Sequence, residues 1–424
     1  MTRPGPRMRR PRAETNRPPE HAIAITSQFY FCSLPLRLDP YRSCAFRCTY
    51  CFALARGGNF TGAQAVLDPG SLDRRLARVK RGHLASAVDE FLARGQPLHI
   101  GGMSDPFPPV ERNLGVTLAI LNVLADHGYP AIISTKSDLF AEDPYLAVLT
   151  RGPFIVQVSL SSLDAQLLDA VDLGAPSPAR RLAAVQRAAA AGVVTTLRIQ
   201  PLLPGRATDA AEVIAAGAAA GVRHVAVEHL KLPIERGWWG RDRLAAALGD
   251  DALRPFADRG SRRGREWILP VEDRLPVQLR LRELARRHRL SFAAADTDLL
   301  WLSAGTCCCS GADAFPGFAD HFRCNYTEAI RRAVATGNVS IASIRDEWRP
   351  AGTISRFVNS HSRLQARDGR GAGMFSYLEA NWNGSANGNS PQMYYGVVDS
   401  GERDADGFRI YRLSEAARAL LTST

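Results

Sequence analysis

The amino-acid sequence predicts an α/β protein built on a partial or full parallel (β/α) barrel, followed by a smaller C-terminal α+β region. Two observations support this class. Short apolar runs alternate with longer helical patterns from about residue 97 to 233, and this rhythm breaks down near residue 304. Strands that alternate with helices are typical of βαβ units and a parallel sheet. In barrels of this kind the chemistry lies at the C-terminal ends of the strands.

The apolar runs and helical patterns define the individual elements. The predicted strands are 97–101, 130–135, 154–160, 193–199 and 222–227, and the predicted helices between them are 112–127, 141–150, 177–191 and 208–220. A helix at 274–289 and a strand at 290–295 resemble one further unit. Residues 235–266 interrupt the pattern as an insertion rich in Arg, Gly and Trp.

Composition separates the chain into three regions. The 424 residues are 46% hydrophobic and 22% charged, which excludes wholesale disorder and a disulfide miniprotein. Residues 1–26 are rich in Arg and Pro and predict a disordered arm, 27–303 predict the barrel, and 304–424 predict the C-terminal region. No apolar run is long enough to span a bilayer, and the N-terminus does not resemble a signal peptide. We therefore expect a cytoplasmic protein with no membrane partner.

The net charge of +11 comes almost entirely from arginine, since Lys80, Lys136 and Lys231 are the only lysines. A basic chain is compatible with nucleic-acid binding, but solvated arginine faces explain the charge equally well.

The C-terminal region offers a second indication of nucleic-acid binding. A predicted hairpin at 393–399 and 408–414, with helical text near 340–366, loosely resembles a winged helix. Acidic residues at the hairpin tip would repel phosphate. The nearby aromatic residues Trp382, Tyr394 and Tyr395 are compatible either with base stacking or with a hydrophobic core.

Cys44, Cys48 and Cys51 carry the strongest chemical signal. Their C-x3-C-x2-C spacing places three soft thiolate ligands on one loop, as suits an iron–sulfur cluster. Three ligands for four irons leave one iron open to a substrate or cofactor. A structural zinc ion would need a fourth ligand nearby, and none follows in the sequence.

The cysteine triplet and the text around it resemble a known family. The motifs on which the resemblance rests are DPYRSCAFRCTYCFA, GGMSDPFPPVE, STKS, VSLSS and LRIQPLLPG, within roughly residues 29 to 235. This text is similar to the radical S-adenosylmethionine (SAM) superfamily, and in particular to the branch that contains spore photoproduct lyase and other DNA repair photolyase-like proteins. The resemblance implies a [4Fe–4S] cluster on Cys44, Cys48 and Cys51, with SAM on the open iron. It also implies an electron donor such as flavodoxin or ferredoxin.

The resemblance also assigns cofactor-binding residues. Tyr50 matches the aromatic position beside the SAM adenine, and Gly101 with Gly102 matches the turn that meets the methionine amino group. Strand-end positions that hold polar groups of SAM in this branch are matched by Ser104, Lys136 and Ser159. A cation at Lys136 suits a carboxylate, although simple surface charge is the alternative. Lys231 and Arg198 are weaker candidates for cofactor binding. Arg198 is equally compatible with a structural salt bridge.

Two positions depart from the lyase pattern. The lyase itself has a Tyr after the third cluster Cys and a Cys in the GG-like motif, which return hydrogen to the product radical. This sequence has Phe52 and Met103 there. Neither a phenyl ring nor a thioether donates a labile hydrogen atom, so we expect that the chain is not a thymine-dimer lyase.

The sequence does not decide between several roles for a second group of cysteines. Cys307, Cys308, Cys309 and Cys324 fit an auxiliary iron–sulfur cluster, a structural zinc site with His321 as a fourth ligand, or a set of buried small hydrophobic residues. Cys32, on the predicted first strand, fits the core.

The sequence therefore predicts a radical SAM enzyme that abstracts hydrogen from an organic substrate. A nucleic acid or nucleobase is the first candidate substrate, because of the basic balance and the resemblance. A small metabolite or peptide is the alternative, because of the altered hydrogen-donor positions. A non-catalytic iron–sulfur or zinc protein that binds nucleic acid is the candidate from a different class, although a structural cluster would not need a SAM pocket.

Overall fold

The computed structural model describes residues 23–55, 67–235, 238–305, 311–312, 315, 317–318, 321–359, 373–384 and 388–422. Its central element is an eight-stranded sheet in the order β1-β2-β3-β4-β5-β6-β7-β11. The strands of this sheet are β1 Ile23–Ile25, β2 Leu36–Leu38, β3 Leu98–Ile100, β4 Ala131–Thr135, β5 Phe154–Ser159, β6 Val194–Leu202, β7 His224–His229 and β11 Ser291–Ala294. β1 pairs antiparallel with β2, and every later pair in the sheet is parallel.

Helices connect the parallel strands, as the sequence predicts. They are α1 Phe52–Ala55, α2 Pro69–Lys80, α3 Ala87–Ala93, α4 Glu111–Leu114, α5 Val116–Asp126, α6 Asp143–Leu149, α7 Ala165–Val171, α8 Pro178–Ala190, α9 Ala207–Ala219, α10 Arg241–Leu248, α11 Asp250–Asp258 and α12 Val271–Arg287. In the strand order for the described residues, β1 and β11 are edges that do not pair with each other, so the barrel is partial. The predicted α/β class and parallel (β/α) architecture are confirmed.

The two faces of the sheet explain why these strands form here. Val156, Val158 and Leu197 face the helices and join the large hydrophobic core. Alternate positions face the barrel interior, where Ile132 and Ile155 pack with Phe315. Side chains of successive residues alternate between the faces of a strand, so strands with apolar residues at both positions are buried on both sides.

The barrel interior becomes polar towards the C-terminal ends of the strands. There the buried His99 imidazole lies 2.8 Å from the Ser134 hydroxyl, which donates a hydrogen bond of 3.1 Å to Gln157. Burial, followed by the charges of Arg37 and Arg198, holds the pKa of His99 well below its usual value. The interior therefore holds a neutral imidazole near two arginines.

The predicted disordered arm extends too far along the chain. Ile23 and Ile25 are fully buried and pair with Leu38 and Leu36, so the end of the 1–26 interval is a barrel strand. The gain from burying two isoleucine side chains accounts for the strand. Residues 1–22 lie outside the described part of the chain.

The predicted insertion at about 235–266 is a small sheet with two helices. The sheet has the order β8-β10-β9, and its strands are β8 Leu232–Pro233, β9 Ser261–Arg263 and β10 Glu266–Ile268. Helices α10 and α11 lie between β8 and β9 in the chain. Gly240, just before α10, packs on the loop that carries the cysteine triplet, since a Cβ at Gly240 would lie 1.9 Å from the Thr49 carbonyl oxygen.

The C-terminal region contains a second three-stranded sheet, in the order β12-β14-β13. Its elements are α13 Tyr326–Thr336, β12 Asn338–Val339, α14 Met374–Trp382, β13 Val397–Arg403, β14 Arg409–Leu413 and α15 Glu415–Thr422. The predicted hairpin is present, although its first strand begins at Val397 because Pro391–Met393 form a 3-10 turn. The helix predicted near 340–366 is wrong in the part that is described, where only the 3-10 turn Ile341–Ile344 forms.

The aromatic residues of this region belong to the core. Trp382 and Tyr394 are 0% and 2% exposed, and the Trp382 ring lies 5.2 Å from the Tyr326 ring and 5.7 Å from the Tyr411 ring. Edge-to-face packing of this kind is typical of aromatic cores. Trp382 and Tyr394 are therefore not available for base stacking in this structure.

The C-terminal region shares its hydrophobic core with the barrel. Leu300 and Leu302 belong to the same buried cluster as Tyr326 and Ile330, and Tyr326 donates its backbone N–H to the Tyr30 carbonyl. The domain boundary near residue 304 stays a prediction. No helix in the described ranges combines the length and the apolar character needed to cross a membrane.

Candidate functional site

The cysteine loop follows β2 and is anchored to the segment after β5. Thr49 donates its backbone N–H to the Val171 carbonyl at 2.8 Å, and Gly174 donates to the Phe46 carbonyl at 3.1 Å. Gly174 allows this close approach, because a Cβ there would lie 2.7 Å from the Ala45 carbonyl oxygen. The loop therefore has a defined backbone at the C-terminal end of the sheet.

Cys44, Cys48 and Cys51 are free thiols in this loop. Burial raises the pKa of Cys44 to about 12, with the nearby Asp105 carboxylate adding to the rise. Burial and then the Asp172 charge raise the pKa of Cys48 well above its usual value, and Cys44 and Cys51 contribute as well. The mutual influence places the three thiols in one neighbourhood, and a bound metal would have to displace the protons of Cys44 and Cys48.

The donor set fits a cluster better than a single metal ion. Among the described residues, no three His, Cys, Asp or Glu side chains converge on a point that one metal ion could occupy. A multi-iron cluster does not need such convergence, since each thiolate binds a different iron. Cys44, Cys48 and Cys51 therefore remain the candidate ligands, as their spacing predicts.

A buried charged network lies beside Cys48. The Tyr50 hydroxyl donates a hydrogen bond to Asp172, and the Lys136 ammonium lies 3.0 Å from the Tyr50 hydroxyl and 3.4 Å from Asp172 Oδ2. Arg181 completes the network with a 2.9 Å ion pair to the same Asp172 oxygen. The structure thus brings together Tyr50 and Lys136, which the sequence assigned to one cofactor site.

Asp172 organises this network. Burial alone would raise its pKa, but Lys136, Arg181 and the Tyr50 hydrogen bond outweigh that effect and lower the pKa to about 2. Two cations share the buried Asp172 carboxylate, and the Asp105 carboxylate also interacts with the Lys136 charge. The Lys136 ammonium also lies 5.3 Å from the centre of the Tyr50 ring, a cation–π contact that fixes its direction.

Sequence reasoning missed Asp172 and Arg181. Asp172 is 122 residues from Tyr50, and no local motif marks it. An Asp that directly follows the short helix α7 is most simply interpreted as a helix terminus. Only the folded chain shows that its side chain is fully buried between two cations.

The GG motif forms a turn after β3 that Asp39 holds in place. The Asp39 carboxylate accepts backbone N–H groups from Met103 at 2.9 Å and from Ser104 at 3.3 Å. Gly101 adopts φ of 89°, and a Cβ there would lie 2.3 Å from the Ser134 carbonyl oxygen, so both the backbone angle and the close approach require glycine. Gly102 lies next to the Arg37 side chain.

Ser104 and Asp105 connect this turn to the cysteine loop. The buried Ser104 hydroxyl donates a hydrogen bond to the Tyr41 carbonyl. Asp105 accepts the Thr135 hydroxyl at 2.8 Å and the Lys136 backbone N–H at 2.7 Å. Its charge also acts on the Cys44 thiol, so one carboxylate fixes the start of the Lys136 segment beside the first cysteine.

Ser159 and Arg198 are neighbours across β5 and β6. The two residues are in register, and Arg181 donates to the Ser159 carbonyl at 3.1 Å, which joins this pair to the Asp172 network. The Arg198 Nε atom is buried and has no hydrogen-bond partner among the described residues. Both alternatives for Arg198, a position in the barrel mouth and a structural salt bridge, stay predictions. Lys231 instead forms an ion pair with Glu228.

Comparison with known proteins matches one part of the chain to a family model. The sequence model of the radical SAM superfamily matches residues 38–215, which include the cysteine loop, the GG turn, Lys136 and Asp172. The matched segment covers less than half of the chain, so the similarity to the radical SAM superfamily is established for this segment.

Other similarities to known proteins are more distant. Uncharacterized proteins Rv2578c of Mycobacterium tuberculosis and Mb2609c of Mycobacterium bovis are each 31% identical over 220 residues, which is 49% of this chain. The match spans 63% of those relatives, less than two thirds of their length. Spore photoproduct lyase complexed with dinucleoside spore photoproduct shows a TM-score of 0.46 at 14% identity, over 62% of this chain and 77% of that one. Streptococcus suis SuiB bound to S-adenosylmethionine shows a TM-score of 0.42 at 13% sequence identity, over 62% of this chain and 51% of that one.

The second cysteine group is not assembled by the described residues. Cys307, Cys308 and Cys309 lie outside them. Cys324 is fully buried in the hydrophobic core, where its thiol donates to the Ile344 carbonyl at 3.7 Å. The packing of Cys324 agrees with the interpretation as a buried small hydrophobic residue. An auxiliary cluster or a zinc site stays a prediction.

The two residues that depart from the lyase pattern are Phe52 and Met103. Phe52 directly follows Cys51, is the first residue of α1 and is 36% exposed. Met103 lies in the GG turn, where its backbone N–H donates to Asp39. Their consequence for hydrogen return stays a prediction.

We predict that Gly240→Ala lowers cluster loading. The new Cβ would lie 1.9 Å from the Thr49 carbonyl oxygen, between Cys48 and Tyr50 in the chain, so the cysteine loop must shift. Such a clash costs about 1–3 kcal/mol. We expect iron bound per protein after anaerobic reconstitution to fall several-fold. Gly373→Ala is the matched control, because no atom of the described residues would lie within 4 Å of a Cβ at Gly373. Full loading of Gly240→Ala would contradict the packing of the insertion on the loop.

Proposed function

We propose that the chain is a radical SAM enzyme whose Cys44, Cys48 and Cys51 hold a [4Fe–4S] cluster. When bound, the cluster and SAM supply a 5′-deoxyadenosyl radical that abstracts hydrogen from an organic substrate. The observation that carries the proposal is the Lys136–Asp172–Tyr50 network, which is buried directly beside Cys48. A protein with a purely structural cluster has no need for a cation held in this position.

The residues around the cysteines have distinct proposed roles. Lys136 offers an ammonium to the carboxylate of SAM, and Asp172 holds that ammonium in place while Arg181 shares the buried negative charge. The Gly101–Gly102 turn brings backbone polar groups close to the ligand, and the Tyr50 ring provides an aromatic surface for adenine. Ser104, Ser159 and Arg198 supply further polar groups at the neighbouring strand ends.

The formation of 5′-deoxyadenosine tests this proposal. The full chain is reconstituted anaerobically with iron and sulfide, reduced with dithionite and incubated with SAM, and the products are separated by chromatography. We expect 5′-deoxyadenosine in proportion to the loaded cluster. If a loaded and reduced protein makes none, with or without added nucleic acid, the enzyme proposal fails and a cluster-bearing binding protein replaces it.

For the substrate we propose a nucleic acid or nucleobase. The proposal is supported by the net charge of +11, which favours association with polyphosphate. Binding of random DNA that weakens steeply with added salt would support it. No binding at low salt would favour the alternative, a small metabolite or peptide. Either result leaves the radical SAM proposal to its own test.

A further inference from the structure

The hairpin formed by β9 and β10 in the insertion carries an exposed aromatic side chain beside an arginine. Trp267 of β10 is directly opposite Arg262 of β9 and Leu232 of β8. Residues that are directly opposite in paired strands lie on one face of a sheet, so these three side chains share a surface three strands wide. Trp267 is 37% exposed, Arg262 is exposed and Leu232 is half-buried. We define the hairpin face as Leu232, Trp267 and Arg262.

The other face of the hairpin is turned towards the rest of the protein. Arg263 and Glu266 are cross-strand partners one position along from the hairpin face, so they lie on the opposite side of the sheet. Arg263 donates a hydrogen bond to the Met393 carbonyl at 3.0 Å. The Glu266 carboxylate is therefore on the side of the sheet away from Trp267, where it does not oppose an anion on the hairpin face.

The Arg262 charge is not neutralised by the described residues. Its Nε donates a 3.2 Å hydrogen bond to the Gly264 carbonyl, and within the described ranges it forms no ion pair. Arg259, just before β9, instead pairs with Asp273 at 2.9 Å. Gly264 has φ of 61° in the two-residue loop between β9 and β10, an angle that favours glycine in a hairpin of this length. A tight hairpin thus holds a cation beside an indole.

The insertion lies at the end of the barrel that carries the cysteine loop. Its strand β8 directly follows β7, so the small sheet begins at the C-terminal end of that strand. The Trp239 ring lies 5.7 Å from the Arg47 guanidinium, and Gly240 packs on the Thr49 carbonyl. Arg47 and Thr49 flank Cys48 in the chain. A ligand on the hairpin face is therefore held at the same end of the sheet as the candidate cluster ligands.

We propose that the hairpin face binds single-stranded nucleic acid, with one base stacked on the Trp267 indole and a neighbouring phosphate on the Arg262 guanidinium. The inference rests on the proposed function, since it names the form in which a nucleic-acid substrate is bound. Proteins bind single strands by combining aromatic side chains that stack on bases with cations that follow the backbone. A base in a duplex is covered on both sides by its neighbours, so only an unpaired strand offers a free base plane.

Fluorescence anisotropy of a labelled oligothymidylate tests the inference in the full chain. The probe has about 12 nucleotides, within the site size of single-strand-binding modules. We expect Trp267→Ala to bind it at least about fivefold more weakly at low salt, and Trp267→Phe, which keeps a ring, to recover most of the affinity. Arg262→Gln should reduce the steepness with which log affinity falls with log salt by about 0.7, the value for one phosphate contact with a single strand. A merely structural role of Arg262 would leave this steepness unchanged.

The hairpin of β13 and β14 supplies the matched controls. Val398 and Arg412 are directly opposite in the two strands, and Val398 is 50% exposed, but Arg412 is paired with Glu402. Val398→Ala and Arg412→Gln remove an exposed apolar side chain and a positive charge, as the variants of the hairpin face do. Both controls should bind the probe as the wild type does.

The outcomes separate this inference from the proposals on which it rests. Unchanged affinity and salt dependence in Trp267→Ala and Arg262→Gln, with a wild type that binds the probe, would overturn the inference alone, as would equally tight binding of a duplex of the same sequence. Oligouridylate of the same length shows whether the strand is DNA or RNA, and binding of either supports the inference. If the wild type binds neither at low salt, the nucleic-acid substrate and this inference fall together. Failure of the radical SAM proposal is distinct, because a loaded and reduced wild-type protein would then make no 5′-deoxyadenosine.

Discussion

Cys48→Ala is expected to lose both its iron and its SAM cleavage. Cys48 is 7% exposed, and the charges of Asp172, Lys136 and the other two candidate ligands all act on its thiol. Loss of an outer-shell partner of a metal site already costs about 10–100-fold, and loss of a ligand should exceed about 100-fold in 5′-deoxyadenosine formed. Iron and sulfide content, together with chromatography, measure the effect.

Cys32→Ala provides the control for that experiment. Cys32 is also a buried free thiol, and it packs with Leu34 and Phe315 in the barrel interior. Its sulfur donates to the Leu34 carbonyl at 3.3 Å and accepts from Arg37 at 3.4 Å, and Arg37 keeps its 2.8 Å hydrogen bond to the same carbonyl when the sulfur is removed. We expect its alanine variant to keep its cluster and its SAM cleavage, with only a modest loss of stability. Equal iron content in the Cys48→Ala and Cys32→Ala variants would contradict the ligand assignment.

Lys136→Met is expected to weaken SAM binding while the fold is kept. The substitution removes the ammonium but retains an unbranched chain over the Tyr50 ring, and Asp172 stays paired with Arg181. Removal of one partner from a desolvated charge pair costs about 2 kcal/mol or more, which corresponds to an affinity loss of roughly 30-fold. Equilibrium binding of SAM to the reconstituted protein measures the change.

Two comparisons make this prediction specific. Lys136→Arg retains the charge with a different shape and should restore part of the affinity. Lys80→Met removes an exposed lysine at the end of α2 and should change neither SAM binding nor thermal stability. An unchanged SAM affinity in Lys136→Met would mean that Lys136 serves only to neutralise Asp172.

The sequence predicts the elements of the barrel because their patterns are local. The strands β4 and β5 and the helices α8 and α9 are bounded by turn and capping residues close to the predicted limits, as with the Ser177 cap of α8. The strand β1 could not be predicted in this way. Its three residues are too few for a periodicity, and their strand pairing depends on distant partners, which are β2 and the bridge from Ile25 to Val358.

The residues of the candidate site also divide into those that local sequence patterns mark and those that only the fold brings together. The cysteine triplet and the GG turn are local patterns, since their chemistry depends on short spacing and on glycine at Gly101. The Asp172 network depends on contacts between distant segments, so neither Asp172 nor Arg181 could be identified from the sequence. The link between Arg47 and the insertion through Trp239 likewise exists only in the folded chain.

The electron paramagnetic resonance spectrum of the reduced, reconstituted protein, recorded with and without SAM, tests the central claim most directly. Three protein ligands leave one iron of a [4Fe–4S] cluster open. The proposed function assigns the SAM carboxylate to Lys136, whose charge acts on the Cys48 thiol. We predict a signal of a reduced [4Fe–4S] cluster whose g values shift when SAM is added. A cluster signal that stays unchanged at saturating SAM would contradict the assignment of an open iron next to this site.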